Sequence, residues 1–90
     1  MEVEYDYSPD KNARLKAERG ISFEEIILLI DEGHLLDVLE HPNQRIYVVD
    51  VDGYVYLVPF VRTGDRIFLK TIYPSRRPTK TYRERKEGRQ

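Results

Sequence analysis

An Asp-Gly dipeptide set between two runs of β-branched and aromatic residues constrains the fold of this chain more than any other feature. Residues 45–51 and 54–61 are rich in Val, Ile, Tyr and Phe, and Asp52 and Gly53 stand between them. A type I′ turn needs a positive φ at both of its central residues, and the Asp-Gly pair tolerates this. The sequence therefore predicts an antiparallel hairpin near the middle of the chain.

Two more strands are predicted, one on each side of this hairpin. Residues 36–40 form a short strand-like run that closes at the turn-forming residues 41–43. A second turn at residues 63–65 leads into a strand predicted over residues 66–73. Pro59 has no backbone N–H to donate to a sheet, so its strand is expected either to lie at a sheet edge or to meet a bulge.

The N-terminal part of the chain carries the signals of one strand and a first helix. Apolar and acidic residues alternate over residues 3–7, which predicts a strand with one buried face. Ser8 followed by Pro9 is typical of a helix start, and Gly20 is typical of a left-handed helix end just after Arg19.

A second helix is predicted from a capping box. The Ser22 hydroxyl is expected to accept a hydrogen bond from the backbone N–H of Glu25, while the Glu25 carboxylate reaches back to the N–H of Ser22. Gly33 can end this helix. The apolar residues between these limits repeat with helical spacing and define one face: Phe23, Ile26, Ile27 and Ile30.

Helices early and strands late predict an α+β protein. The expected architecture is a twisted, mostly antiparallel sheet with two N-terminal helices packed on one face, followed by a short basic helix from about Thr79. Ninety residues support one modest core. We therefore expect a single domain over residues 1–82 and a basic tail over residues 83–90.

Composition excludes several classes of function. The chain has no cysteine, so it has no disulfide framework and no thiol nucleophile. His34 and His41 form a zinc site only with help from carboxylates such as Asp37 or Glu40, and solvated loop histidines are the favoured interpretation. No metal or cofactor is expected. Neither a secretory signal pattern nor an apolar run of about 18 residues is found, so a cytoplasmic protein is expected.

Charge is distributed unevenly along the chain, although the formal net charge is only −1. Residues 1–53 contain thirteen Asp/Glu against five Lys/Arg, a net of −8. Residues 54–90 contain ten Lys/Arg against three Asp/Glu, a net of +7. The basic half is therefore where a polyanionic partner is expected to bind.

Six basic residues and one tyrosine of this half are candidates for an anion site. Arg76 and Arg77 follow the last predicted strand after a turn at residues 73–75, Arg62 ends the strand before it, and Lys70 lies inside it. These four, with Lys80 and Tyr82, are expected to converge on one concave face. Arg83 opens a run of mixed charges that is also typical of a solvated helix or a frayed terminus.

Four segments, in this order and spacing, resemble one protein family. They are Lys11-Asn12, the Gly-Ile-Ser-Phe-Glu-Glu box at residues 20–25, Gly-Asp-Arg-Ile at residues 64–67, and Ser-Arg-Arg-Pro-Thr-Lys at residues 75–80. Together they resemble the BrnT toxins of bacterial type II toxin–antitoxin systems. The resemblance extends over nearly the whole chain, from about residue 5 to residue 82.

The resemblance implies a RelE-like fold and a metal-independent endoribonuclease that cleaves mRNA and so inhibits translation. It also implies a cognate antitoxin, commonly a small DNA-binding protein encoded in the adjacent reading frame, so that operator DNA is contacted only through the antitoxin. By motif match, Arg76, Arg77 and Lys80 are the strongest catalytic candidates. The strand assignment adds Lys70 as a catalytic candidate and Arg62 as an RNA-binding residue, and Tyr82 and Arg83 complete the expected RNA-binding set.

A second class of function stays open at this point. A chain with the same fold can use these basic residues only to bind RNA or an acidic protein partner, without catalysis. The sequence favours this alternative in one respect, because neither histidine is linked to the basic cluster and no general base stands out.

Overall fold

The computed structural model describes residues 3–42 and 44–75, and these form two helices and six strands. In chain order the elements are β1 (Glu4–Asp6), α1 (Pro9–Arg19), α2 (Phe23–Asp31), β2 (Leu35–His41), β3 (Gln44–Val51), β4 (Tyr54–Thr63), β5 (Arg66–Leu69) and β6 (Tyr73–Pro74). The basic helix predicted from Thr79 and the tail at residues 83–90 lie outside the described residues.

The six strands form one mixed sheet in the order β1-β5-β4-β3-β2, and β6 also pairs with β4. The pair of β1 and β5 is parallel, while the other pairs are antiparallel. An α+β protein with two helices and a mostly antiparallel sheet is therefore confirmed. No helix in the described part of the chain is long and apolar enough to cross a membrane.

The central hairpin is formed by β3 and β4, as the sequence predicts. Asp52 has φ 52° and Gly53 has φ 89°, the two positive values that a type I′ turn requires. The backbone N–H of Gly53 donates to a carboxylate oxygen of Asp50 at 2.9 Å, which holds the turn. At the other end of β3, the turn is shorter than predicted, since His41 belongs to β2 and pairs with Gln44.

Both helices begin at the predicted caps. Ser8 Oγ accepts the backbone N–H of Lys11 at 3.3 Å, and α1 ends at Gly20 with φ 67°. Ser22 Oγ accepts the N–H of Glu25 at 3.2 Å. The second half of the predicted capping box is wrong, because the Glu25 carboxylate accepts from the Ser22 hydroxyl at 3.3 Å instead of from its backbone N–H.

The Ser22 cap yields a local test of the fold. Ser22→Ala is expected to lower the free energy of unfolding by about 0.5–2 kcal/mol, since an N-terminal N–H of α2 loses its acceptor. Urea denaturation measures the change, and Ser22→Thr, which keeps a hydroxyl, is the matched control. Equal stability of Ser22→Ala and the unaltered protein would show that the cap contributes nothing.

A buried asparagine joins the two helices. The side-chain oxygen of Asn12 in α1 accepts the backbone N–H of Phe23 at 2.8 Å, and its amide donates to the Glu24 carboxylate at 2.6 Å. Asn12 is 7% exposed, so these bonds lie in a region where an unpaired N–H is costly. Asn12 therefore fixes the start of α2 relative to α1.

The main core lies between the helices and one face of the sheet. Phe23 and Ile26 of α2 are fully buried there. Phe23 stacks on Tyr7 with ring centroids 5.0 Å apart. The sheet contributes buried side chains from its central strands: Tyr47, Val49, Val58, Phe60, Ile67 and Leu69. The helices thus cover this face of β3, β4 and β5 and fix where the remaining side chains of that face reach the surface.

The sequence predicts one continuous strand over residues 66–73, and this prediction is wrong in the middle of the segment. Phe60 pairs with Leu69, whereas Leu57 pairs with Tyr73, so the outer strand has one more residue than β4 over the same length. The result is a bulge that divides the predicted strand into β5 and β6. Lys70 was expected inside the strand, and it lies directly after β5.

Pro59 lies beside this bulge. Its carbonyl accepts the backbone N–H of Lys70 at 2.8 Å, and since N–H and C=O of one strand residue point to the same side, the proline nitrogen also faces the bulge. The position in β4 that lacks a backbone N–H therefore coincides with the bulge, where the hydrogen-bonding pattern of the sheet is already irregular. The turn predicted at residues 73–75 is wrong as well, because β6 pairs with β4 and the N–H of Ser75 donates to the carbonyl of Val55 at 2.9 Å.

Candidate functional site

Three cationic side chains line one shallow cavity at the end of the central hairpin. The cavity has a volume of about 300 Å³. Its lining residues come from β3, β4 and the segments beside them: Pro42, Gln44, Arg45, Phe60, Val61, Arg62 and Lys70. None of these residues is a carboxylate, so the cavity combines positive charge with one aromatic ring.

Arg62 is the best-positioned of the three cations. Its Nε donates to the carbonyl of Gly64 at 3.0 Å, across a turn in which Gly64 has φ 61°. This bond orients the guanidinium plane and leaves the terminal nitrogens available for a bidentate contact with phosphate. Within the described residues, Arg62 forms no ion pair.

Arg45 and Lys70 are placed by the strands on either side of β4. Arg45 pairs with Phe60 in the β3–β4 ladder. Its Nε lies 3.9 Å from a Glu40 carboxylate oxygen, and both side chains are more than half exposed, so this ion pair is weak. Lys70 is held through its backbone bond to Pro59, and no described carboxylate lies within ion-pair distance of its ammonium group.

Two tyrosine hydroxyls lie within the electrostatic reach of Arg62, although neither tyrosine lines the cavity. Tyr47 stacks on Phe60 with ring centroids 3.9 Å apart and planes 11° apart. Burial, and next the neighbouring Tyr5, raise the pKa of Tyr47 to about 12, against the opposing charge of Arg62. Burial also raises the pKa of Tyr5, against the effects of its bond with Tyr47 and of Arg62. Both phenols are therefore neutral proton donors near pH 7.

The pKa of Tyr47 predicts how stability depends on pH. The folded-state pKa of about 12 exceeds the ordinary value of 10.0, so the folded protein keeps the Tyr47 proton more strongly than the unfolded chain does. The contribution of this protonated phenol to the free energy of unfolding is fully present below pH 10 and is lost as the pH rises towards 12. We expect the ultraviolet absorbance of tyrosinate to show a late titration that disappears in Tyr47→Phe. Tyr54→Phe is the control, since Tyr54 is 71% exposed. A step near pH 12 that keeps its full amplitude in Tyr47→Phe would contradict the assignment, since Tyr5 is then the only one of the pair left to titrate.

The structure brings together two of the predicted site residues, Arg62 and Lys70. The other five lie outside the described residues: Arg76, Arg77, Lys80, Tyr82 and Arg83. Ser75, which precedes them, lies beside Val55. Val55 is seven residues from Arg62 along β4, which corresponds to roughly 23 Å at about 3.3 Å per residue. Ser75 therefore lies far from the cavity that Arg62 lines.

Sequence reasoning missed four residues of this region: Tyr5, Arg45, Tyr47 and Phe60. A signal for Arg45 was present, since it is the only Lys or Arg between residues 20 and 61 and it opens a predicted strand. The tyrosines gave no such signal, because strand tyrosines are most often core residues. Among the described residues, no group of three His, Asp or Glu side chains is arranged to hold a metal ion.

No protein-family model matches this chain, and the comparison with curated proteins gives no significant match. The fold and the site therefore define a class only in general terms. The chain is a small α+β protein in which a mixed sheet presents a cationic cavity and, within the electrostatic reach of Arg62, two neutral tyrosine hydroxyls.

Proposed function

We propose that the chain is the toxin of a bacterial type II toxin–antitoxin system, a RelE-like endoribonuclease of the BrnT kind that cleaves mRNA without a metal ion. The observation that carries the proposal is the cavity in which Arg45, Arg62 and Lys70 converge without a carboxylate among the lining residues. The resemblance of the Lys11-Asn12 and Gly-Ile-Ser-Phe-Glu-Glu segments to BrnT toxins supports it independently.

The chemistry of RNA cleavage matches such a cavity. Attack of a 2′-hydroxyl on the adjacent phosphate releases the hydroxyl proton to solvent water and places extra negative charge on the non-bridging oxygens of a phosphorane. Preoriented cations stabilise this charge more than they stabilise the ground-state phosphodiester. Arg62 supplies an oriented fork for two of these oxygens, and Arg45 and Lys70 add charge on either side.

The leaving 5′-oxygen needs a proton. Tyr47 and Tyr5 keep their protons well above neutral pH, so each is suited to donate a hydrogen bond or a proton and unsuited to act as the base. Phe60 is 5% exposed and already stacked on Tyr47, so it forms the apolar floor of the cavity, and in this proposal Tyr82 provides the base stacking. Arg76, Arg77 and Lys80 stay catalytic candidates by motif match, and Tyr82 and Arg83 stay RNA-binding candidates.

The proposal includes a partner. A small antitoxin from the adjacent reading frame neutralises the nuclease and contacts operator DNA, which the toxin itself does not bind.

A non-catalytic binding module is the second candidate function. It is favoured by one observation, the absence of any histidine or carboxylate among the residues that line the cavity. A group able to accept the 2′-hydroxyl proton at neutral pH is thus missing from that lining. In this alternative the same cations hold RNA or an acidic protein segment.

Induced expression in a bacterial host separates the two functions. The nuclease is expected to arrest growth soon after induction, and co-expression of the protein encoded in the adjacent reading frame is expected to restore growth. The control is Arg62→Ala expressed to the same soluble level. Normal growth with abundant soluble, unaltered protein would favour the binding module.

A further inference from the structure

A second cavity lies between α2 and the edge strand β1, on the acidic half of the chain. Its volume is about 690 Å³. Apolar side chains form most of its lining, namely Val3, Tyr5, Ile27, Leu28 and Ile30, and the carboxylates of Glu24 and Asp31 stand at its rim. This surface is called the α2–β1 groove below.

The helix side of the α2–β1 groove is an apolar stripe at the edge of the core, where Ile27 is partly buried and Leu28 is exposed. Glu24, Ile27, Leu28 and Asp31 are spaced as i, i+3, i+4 and i+7, so they share one side of α2. Leu28 is 56% exposed, a large fraction for a leucine at the centre of a helix face. The stripe therefore has an apolar centre and a negative charge at each end.

Within residues 3–42 and 44–75, the strand side of the groove offers backbone groups without a pairing strand. β1 is the last strand of the sheet order and has β5 on one side only. The N–H of Glu4 donates to the carbonyl of Asp65 at 2.8 Å on the β5 side. Since successive residues of a strand point their N–H and C=O to opposite sides, those of Tyr5 face outward, beside the groove that its side chain lines.

We propose that the α2–β1 groove binds an extended segment of a protein partner, which adds to β1 as a further strand. Its apolar side chains pack on Ile27 and Leu28, and its Lys or Arg side chains reach the rim carboxylates. Glu24 is already paired, since Lys16 Nζ lies 3.1 Å from its carboxylate and the Asn12 amide donates to it at 2.6 Å. Asp31 forms no ion pair within the described residues, so it is the rim carboxylate that a partner cation reaches first. A partner segment with alternating apolar and basic residues fits both features.

Charge excludes the other obvious occupants. A second copy of this chain that paired through β1 would place Glu4 and Asp6 of both copies side by side, and like charges at opposed strand positions are destabilising. Nucleic acid is disfavoured by the same carboxylates. The cavity cations Arg45, Arg62 and Lys70 do not line this groove, and Tyr5 is the one described residue that belongs both to the groove and to the proposed nuclease site. The inference goes beyond the proposed nuclease activity and does not depend on it.

The test uses the full chain, labelled with ¹⁵N, and a short capped peptide of alternating lysine and valine as the probe. Saturable shifts of the amide resonances of Tyr5, Leu28 and Asp31 are expected. A peptide of alternating glutamate and valine is expected not to bind, and a central proline in the lysine peptide is expected to weaken binding, because it removes an N–H that pairs with β1.

Variants locate the binding. Leu28→Lys and Asp31→Lys each place a cation in the groove and are expected to weaken peptide binding about tenfold or more. The matched controls are Tyr54→Lys, an exposed aromatic residue elsewhere, and Glu32→Lys, the neighbouring carboxylate that does not line the groove. Both are expected to leave affinity unchanged. The same spectra show whether each variant is folded.

Four results would overturn the inference. They are the absence of saturable binding to the unaltered chain, shifts confined to other surfaces, equal weakening in test and control variants, and concentration-dependent self-association mapped to Tyr5 and Leu28. The last result would assign the groove to a second copy.

Discussion

Replacing Arg62 by alanine is expected to reduce RNA cleavage by roughly 10²–10³, the range observed when one preorganised donor to a transition state is removed. The effect is large because the Gly64 carbonyl orients the guanidinium before substrate arrives, so no ordering is needed during the reaction. Arg62→Lys keeps the charge and loses the planar fork, so partial recovery is expected. The free energy of unfolding is expected to change little, since Arg62 is exposed.

Arg66→Ala is the matched control for this prediction. Arg66 lies across the same turn from Arg62, and its ion pair with Glu4, at 3.6 Å, is largely exposed. Arg66 does not line the cavity. Its loss is therefore expected to weaken RNA binding slightly and to leave the rate of cleavage of bound RNA unchanged. If both variants lost cleavage activity equally, and if the losses followed the salt-dependent affinity for RNA, the cations would provide only general electrostatic attraction.

Phe23→Ala is expected to lower the free energy of unfolding by about 3–5 kcal/mol. Phe23 is fully buried at the start of α2 and stacks on Tyr7, so alanine leaves a cavity between the helices and the sheet. A domain of this size has a total free energy of unfolding of about 5–15 kcal/mol, so this substitution removes a large part of its stability. Urea denaturation at 25 °C measures the loss.

Leu28→Ala on the same helix is the control for Phe23→Ala. Leu28 is 56% exposed and contributes little to the core, so a change of less than about 1 kcal/mol is expected. If the two variants proved equally stable, α2 would not pack on the sheet through the face that contains Phe23.

The parts of the fold that the sequence predicts correctly are those that local chemistry decides. The cap at Ser8, the left-handed end at Gly20 and the Asp52-Gly53 turn each depend on a few neighbouring residues, and each is confirmed. The buried face of α2 follows from helical spacing in the same way. Local signals of this kind need no knowledge of what packs against them.

The parts that the sequence does not predict depend on contacts between distant segments. The parallel pairing of β1 with β5 joins residues about sixty positions apart, and no local pattern indicates it. The bulge after β5 lies beside Pro59, a residue of the neighbouring strand that has no backbone N–H to donate. The contact between Tyr5 and Tyr47 likewise forms only when the folded sheet places the two side chains, from β1 and β3, on the same face.

Two of the segments on which the BrnT proposal rests have structural roles in the described part of the chain. Asn12 binds the N–H of Phe23, Ser22 caps α2, and Phe23 fills the core. These residues therefore support the arrangement of the helices on the sheet, while the candidate chemistry belongs to Arg62, Lys70 and the basic residues of the C-terminal segment.

The most direct test of the proposed activity is to map new RNA ends in cells after induction. Attack by a 2′-hydroxyl leaves a 5′-hydroxyl on the downstream fragment, whereas hydrolysis by a metal-activated water typically leaves a 5′-phosphate. Sequencing with and without prior phosphorylation of RNA ends distinguishes the two. New 5′-hydroxyl ends within mRNAs are expected for the unaltered chain and Arg66→Ala, and far fewer for Arg62→Ala. Intact mRNAs in cells that hold abundant folded, unaltered protein would contradict the endoribonuclease proposal.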